Sequence, residues 1–314
     1  MNFLFKSFIQ NAVALLPRPL GQPVYYGMQR RFGALRQVDY RKHLRRAAEI
    51  ADVLRQQHLP LERRFLEVGT GWLLGTPIGL WLAGATEVLT VDLHRYLKAE
   101  LVLELVQYVA AHEAEMQDLY PWVPAAELRQ KCRALAACRT LADLWASVPI
   151  RYLAPADATQ LALPAATADY HYSTNVLEHV PAPVLAGLLA EAKRLLRPGG
   201  YLLHFVDLSD HFAHDDRRLS AVHFLRFGAL AWAALAGNRF MYQNRLRLPQ
   251  YEQLFAAAGL RIAWQRRTVE PAALQLLEQG QLPVHRQFGG FSAQELATTF
   301  WVVLARAAPE PAGS

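Results

Sequence analysis

Between Arg64 and Asp92 the chain passes from a short apolar run into two closely spaced glycines. It then enters a helical stretch and leaves it through a β-branched run that ends on an acid. This segment constrains the fold more than any other. Arg64–Val68 reads as a strand, Gly69-Thr70-Gly71 as a tight turn, and Ile78, Leu80 and Leu82 as part of a helix closed at Gly84. Glu87–Asp92 reads as a second strand. Strand, glycine turn, helix, strand is a βαβ unit, and two strands joined that way lie parallel in one sheet. The glycines allow a sharp turn and a close approach of backbone to ligand. Asp92 stands twenty-one residues after Gly71, at the end of the second strand, where a carboxylate can accept hydrogen bonds from both hydroxyls of a ribose. A nucleoside-type ligand is the expectation.

The alternation continues downstream. Ile150–Leu153 reads as a third strand, Ala168–Ser173 as a fourth, Pro183–Leu196 as a helix stopped by Arg197-Pro198-Gly199-Gly200, and Tyr201–Asp207 as a fifth strand. Leu260–Arg266 and Thr299–Ala305 read as the sixth and seventh. The expected fold is α/β, a doubly wound, mostly parallel seven-stranded sheet with Rossmann-like character. Two stretches exceed what a crossover needs, about 93–148 and 208–248, and read as helical insertions that form a cap. Residues 1–60 form an N-terminal helical segment, 61–306 the ligand-binding domain and 307–314 a tail. Pro17, Pro19, Gly21 and Pro23 are expected to break the first helix, and a second is expected over Val38–Gln57.

At 53% hydrophobic and 19% charged, the chain has too much apolar content for disorder, and no run is long enough to span a bilayer. A cytoplasmic location is the expectation. The apolar opening Met1–Leu16 is expected to pack on the domain or to touch a membrane surface as a peripheral contact. The net charge of +6 gives weak support to an anionic partner. Cys132 and Cys138 lack metal-ligand spacing and read as core thiols.

Three further segments carry chemistry. Asp157-Ala158 precedes Leu161-Ala162-Leu163-Pro164, Tyr172–Val180 runs off the fourth strand, and His204, Asp207, Asp210, His211, His214, Asp215 and Asp216 cluster around the end of the fifth. In open α/β sheets, ligands bind outside the carboxyl ends of the strands. Residues His179, Asp207, Asp210 and His211 are therefore the candidate bases, and His and Asp at that density could also ligate a divalent metal. Strand alternation sends His204 and Phe205 to opposite faces, so not all of these groups converge. Arg239–Arg247 mixes aromatics with Arg, Asn and Gln. It suits a sugar or phosphate-bearing substrate, or equally a helix end covering the sheet.

Taken in order, these segments resemble the motifs of class I S-adenosylmethionine (SAM)-dependent methyltransferases of the type 11 group, including the ubiquinone-biosynthesis O-methyltransferases. Phe65–Asp92 resembles motif I and the acid that follows it. Asp157-Ala158 with Leu163-Pro164 resembles the segment that holds adenine. Ser173-Thr174-Asn175-Val176-Leu177-Glu178-His179-Val180 resembles the motif after the fourth strand, and Leu195–Gly200 the turn before the fifth. Leu74 replaces the third glycine of motif I. The resemblance implies SAM as cofactor, contacted by Glu67, Gly69, Thr70, Gly71, Asp92, Leu93, Asp157, Ala158 and Ser173. It also implies metal-ligand positions at Glu178 and His179, although Asn175 stands where the family has an acid. The region 207–247 is loosely similar to methyltransferases of bacterial polysaccharide gene clusters. The expected function is methyl transfer to a small-molecule or saccharide hydroxyl, with N-methylation or a non-catalytic SAM-fold binding protein as alternatives. Nucleic-acid amino-group methylation is disfavoured, because the Asn/Asp-Pro-Pro-aromatic signature is absent after the fourth strand.

Overall fold

A computed structural model describes residues 2–308; the expected tail falls almost entirely outside them. In chain order, the elements before the glycine turn are α1 (Phe3–Ala14), α2 (Arg18–Phe32), α3 (Tyr40–Gln56) and β1 (Arg64–Val68). The turn leads into α4 (Gly75–Ala83) and β2 (Glu87–Val91). The first insertion forms α5 (Ala99–Ala111), α6 (Glu113–Leu119), α7 (Ala125–Ala136) and α8 (Leu141–Ser147). Then come β3 (Ile150–Leu153), β4 (Ala168–Thr174), α9 (Ala182–Leu195), β5 (Leu196–Asp207), α10 (Ala229–Ala236) and α11 (Leu248–Ala257). The chain closes with β6 (Leu260–Val269), α12 (Pro271–Glu278), α13 (Ala293–Ala297) and β7 (Thr298–Ala307).

The seven strands form one mostly parallel sheet of order β3-β2-β1-β4-β5-β7-β6, with helices on both sides, as expected for a doubly wound α/β fold. β1 pairs in parallel with β2 on one side and with β4 on the other, and β3 lies parallel to β2. From β1 the chain therefore builds outward to β3 and then returns to lay β4 on the far side. The order reverses between β1 and β4, at the carboxyl ends that carry Gly69 and Asn175.

The chain divides into two compact units. One comprises 39–174, 187–203 and 305–308. Its core holds Leu66, Val88, Val102, Leu105 and Ile150, all nearly or fully buried. Within it α3 packs on α4 at Gly79, where a Cβ would come within 2.4 Å of Ala47. The insertion continues this layer: the Tyr120 hydroxyl donates to the Leu44 carbonyl, and Trp122 and Lys131 donate to the last carbonyls of α4. Gly200 closes on β4, since a Cβ there would lie 2.7 Å from the Asp169 carbonyl. Cys132 and Cys138 are buried free thiols.

The other unit comprises 2–38, 175–186 and 204–304. It has an aromatic core of its own, drawn from the second insertion and from the segment between β6 and β7: Phe212, Phe224, Trp232, Met241, Phe288 and Leu296. One expectation is corrected here. The first helix breaks at Pro17 alone, and Pro19, Gly21 and Pro23 all lie inside α2. Pro19 sits in the first turn, where its missing N–H has no intrahelical acceptor to lose. Among the described residues no helix is long and apolar enough to cross a membrane.

Candidate active site

In the first of these units the glycine turn and the ends of β1 and β2 form one hydrogen-bonded group. Gly69 and Gly71 take φ of 90° and 67°. The Gly71 N–H donates to Asp92 Oδ2 at 2.9 Å, and the His94 N–H donates to Oδ1 at 3.0 Å. Asp92 thus ties the turn after β1 to the end of β2, and burial raises its pKa against those two hydrogen bonds. Beneath it Glu67 is buried, and its carboxyl accepts from the Thr90 hydroxyl at 2.5 Å, which in turn meets the Thr70 hydroxyl at 2.6 Å. Burial pushes the Glu67 pKa up to about 8. A Cβ at Gly71 would meet no protein atom within 4 Å, so the turn leaves open space beside its backbone. Leu93 is 58% exposed directly after the acid. Asp157 lies in the loop after β3, where its carboxylate accepts the N–H and hydroxyl of Thr159, which hold its pKa low. Ala158, next to it, is half-buried. Ser173 differs from the rest: it is fully buried in β4 and offers a ligand no side-chain surface.

In the second unit the turn after β4 meets the loop after β5. Asn175 takes φ of 56°, a left-handed conformation that asparagine tolerates better than most residues, and its N–H donates to the Phe205 carbonyl. Glu178 is buried and accepts the Asp207 N–H at 3.3 Å. The Nδ1 of His179 lies 2.7 Å from the Tyr242 carbonyl. A carbonyl only accepts, so the neutral ring carries its proton on Nδ1 and leaves Nε2 as the basic nitrogen. Desolvation lowers the His179 pKa, opposed by that hydrogen bond and by Asp207. The His211 ring is 4.9 Å from that of His179, and its Nε2 is buried with no hydrogen-bond partner. Burial and the neighbouring His179 and His214 hold His211 neutral, well below its usual pKa. Asp207 lies 3.7 Å from His211 and 3.6 Å from His214, while its other oxygen accepts from Ser209. Ligand atoms of Glu178, His179 and His211 lie within 4.8 Å of one another.

Residues 124–204 match the protein family described as a methyltransferase domain. That span holds β3, the Asp157 loop, β4 and the Glu178-His179 turn, inside a sheet whose order reverses beside the glycine turn. Over that span the chain is similar to a methyltransferase domain. In fold the chain is similar to solved structures, among them the following three. A Pyrococcus horikoshii OT3 protein is 13% identical, with 90% of this chain and 98% of that chain covered and a TM-score of 0.49. A SAM-dependent methyltransferase from Methanosarcina mazei is 15% identical, covering 82% and 98%, with a TM-score of 0.44. One from Mesorhizobium loti is 18% identical, covering 82% and 97%, with a TM-score of 0.42. No curated protein matches the sequence.

The fold brings His179, Asp207 and His211 together but not Asp210. That residue is fully buried, caps the Phe212 N–H and faces His223 at 3.5 Å. His204 is buried within β5, and Asp215 and Asp216 pair with Lys6 and Arg218. The segment Arg239–Arg247 runs as a strap, with the Phe240 ring stacked on Tyr25 at 4.2 Å. Asn244 donates to the Leu177 and Val180 carbonyls, Gln243 to Ser209, Arg245 to Phe227, and Arg247 to Leu208, Leu296 and Thr298. Sequence reasoning missed the Tyr242 carbonyl, since a backbone acceptor sixty-three residues from its histidine leaves no mark in side-chain identity.

Proposed function

We propose that this methyltransferase moves the SAM methyl group to a hydroxyl of a small polar acceptor of saccharide type, with His179 as the general base. The observation that carries the reading is the hydrogen bond from His179 Nδ1 to the Tyr242 carbonyl, which leaves Nε2 basic on a neutral ring. SAM, when bound, would supply an activated methyl group, and His179 Nε2 would take the proton of the acceptor hydroxyl as that oxygen accepts the methyl. Alignment and proton removal are all that such a reaction asks of the protein. The charge of Asp207 favours protonation of the base, and the His211 ring lies 4.9 Å from it. On the cofactor side, Asp92 receives the ribose hydroxyls, the turn Gly69-Thr70-Gly71 admits the methionine portion, and Leu93, Asp157 and Ala158 border the adenine. A cleft of about 320 Å³ in the unit that holds His179 is lined by Ser209, His214, Arg217, Ser220 and Glu270 together with Ala and Leu side chains.

A second reading rests on the grouping of Glu178, His179 and His211. One carboxylate and two imidazoles suit a divalent transition metal, and the partnerless Nε2 of His211 fits a ligand atom. Such an ion would act as a Lewis acid on the acceptor hydroxyl.

The test is turnover on a panel of sugars and small alcohols, with S-adenosylhomocysteine (SAH) affinity measured in parallel. His179→Ala should lower kcat by about 10²–10⁴ with SAH affinity unchanged. Because the His179 pKa is lowered from its ordinary 6.5, the acid limb of the kcat profile should lie below pH 6.5. Wild-type turnover in His179→Ala would sink the base assignment. Activity abolished by chelator and restored by a divalent ion would favour the metal reading.

A further inference from the structure

α1 leaves much of its apolar surface outside. Its inward positions Ser7, Gln10 and Val13 are buried and Phe3 packs edge-on against Phe212 and His223, while Ser7 donates to the Leu235 carbonyl and Asn11 to the Ala234 carbonyl. Its outward positions are large and apolar. Phe5 is 58% exposed, Phe8 71%, and Leu15, just past the helix, 87%. A helix of a water-soluble domain turns its apolar stripe inward and its polar face outward. α2 also leaves large apolar side chains exposed, Leu20, Val24 and Phe32. Beside α1 an open groove of about 700 Å³ is lined by Phe8, Ala12, Leu15 and Ala233, with Arg239 at its edge.

Charge identifies what covers this face. Residues 1–38 contain five basic side chains, Lys6, Arg18, Arg30, Arg31 and Arg36, and no Asp or Glu. One-eighth of the chain thus holds a sequence charge of +5, of which Lys6 is offset by its ion pair with Asp215. A second copy of the same surface would set these charges against each other. An anionic bilayer supplies both an apolar phase and a negative potential. Apolar area and a basic cluster are the two signals that together give stable peripheral attachment where either alone is marginal.

We infer that the α1–α2 face is a docking surface for an anionic lipid bilayer, with Phe5, Phe8 and Leu15 inserted at the acyl boundary and the arginines at the headgroups. The inference is independent of the methyl-transfer reading, and its test requires no turnover. The full-length chain is sedimented with vesicles of phosphatidylcholine alone and of phosphatidylcholine with phosphatidylglycerol, at low and raised ionic strength. The wild type should partition to the anionic vesicles only, and less so in salt. Phe5→Ser with Phe8→Ser should weaken partitioning by about tenfold or more. Arg18→Gln with Arg31→Gln should weaken it about fivefold per arginine. All four side chains are exposed, so both variants should melt as the wild type does. No partitioning to anionic vesicles, or full partitioning by the phenylalanine variant, overturns the inference. So does a stable dimer that ignores vesicles and is lost with the same two phenylalanines, which would make the face an interface between copies.

Discussion

Glu67 shows how far a single residue's behaviour departs from its type. The buried carboxyl has a pKa near 8 against an ordinary value of 4.5. The folded chain therefore holds a proton that the unfolded chain releases, and the stability it supports is complete below pH 4.5 and lost as pH rises toward 8. Thermal melts of the cofactor-free protein should decline across that window, and Glu67→Gln should flatten the decline; an unchanged slope would assign it to other groups. Asp92 carries two duties. Asp92→Ala should weaken SAH binding by about tenfold to a hundredfold, the worth of a charge-assisted pair of about 1.5–3 kcal/mol. It should also lower the melting temperature, because the Gly71 and His94 N–H groups lose their acceptor. Calorimetric titration and a melt on the same sample separate the two effects. Asp92 and the glycines were legible in the sequence because turn chemistry and spacing mark them directly. The burial of Asp210 and Ser173 was not, since nothing local distinguishes a carboxylate aimed at solvent from one capping an N–H beneath a Phe-rich core.

At the level of elements, β1, β2 and β3 fall where their apolar runs place them, whereas β5 begins at Leu196, ahead of the turn expected there. Pro198 and Gly199 punctuate a sequence strongly, yet the strand runs through them because β4 lies against Gly200. The segment between β6 and β7 escaped notice. Its helices, α12 and α13, are eight and five residues long, too short for a helical period to show. Arg247 ties that segment to the end of β5. It is fully buried, burial draws its pKa down to about 10, and it spreads its donors over carbonyls of Leu208, Leu296 and Thr298. Arg247→Met keeps most of the volume but strands those carbonyls. We expect a loss of more than about 2 kcal/mol in urea unfolding, and a loss below half that would mean water takes the guanidinium's place.

Across the whole molecule, the chain crosses between its two compact units five times, and both α9 and β5 are divided between them. Neither unit is a continuous fragment, so neither can be cut free as one. Scanning calorimetry should therefore give one transition whose calorimetric and van't Hoff enthalpies agree; two resolved transitions would show that the units unfold separately. Order along the chain was readable from the βαβ alternation, but this interleaving was not, because it depends on which distant segments share a core. The strap 239–247 belongs to the same class of feature, and its contact with His179 bears on how such a site evolves. The proton on that ring is placed by a main-chain oxygen at Tyr242, a group that every amino acid brings. Substitution at Tyr242 can reshape the surroundings of the site without changing which nitrogen is the base. With His179 as the base proposed above, residues along the strap's solvent side are free to drift while the acid–base chemistry is inherited intact, and a lineage could change its acceptor without reinventing the proton transfer.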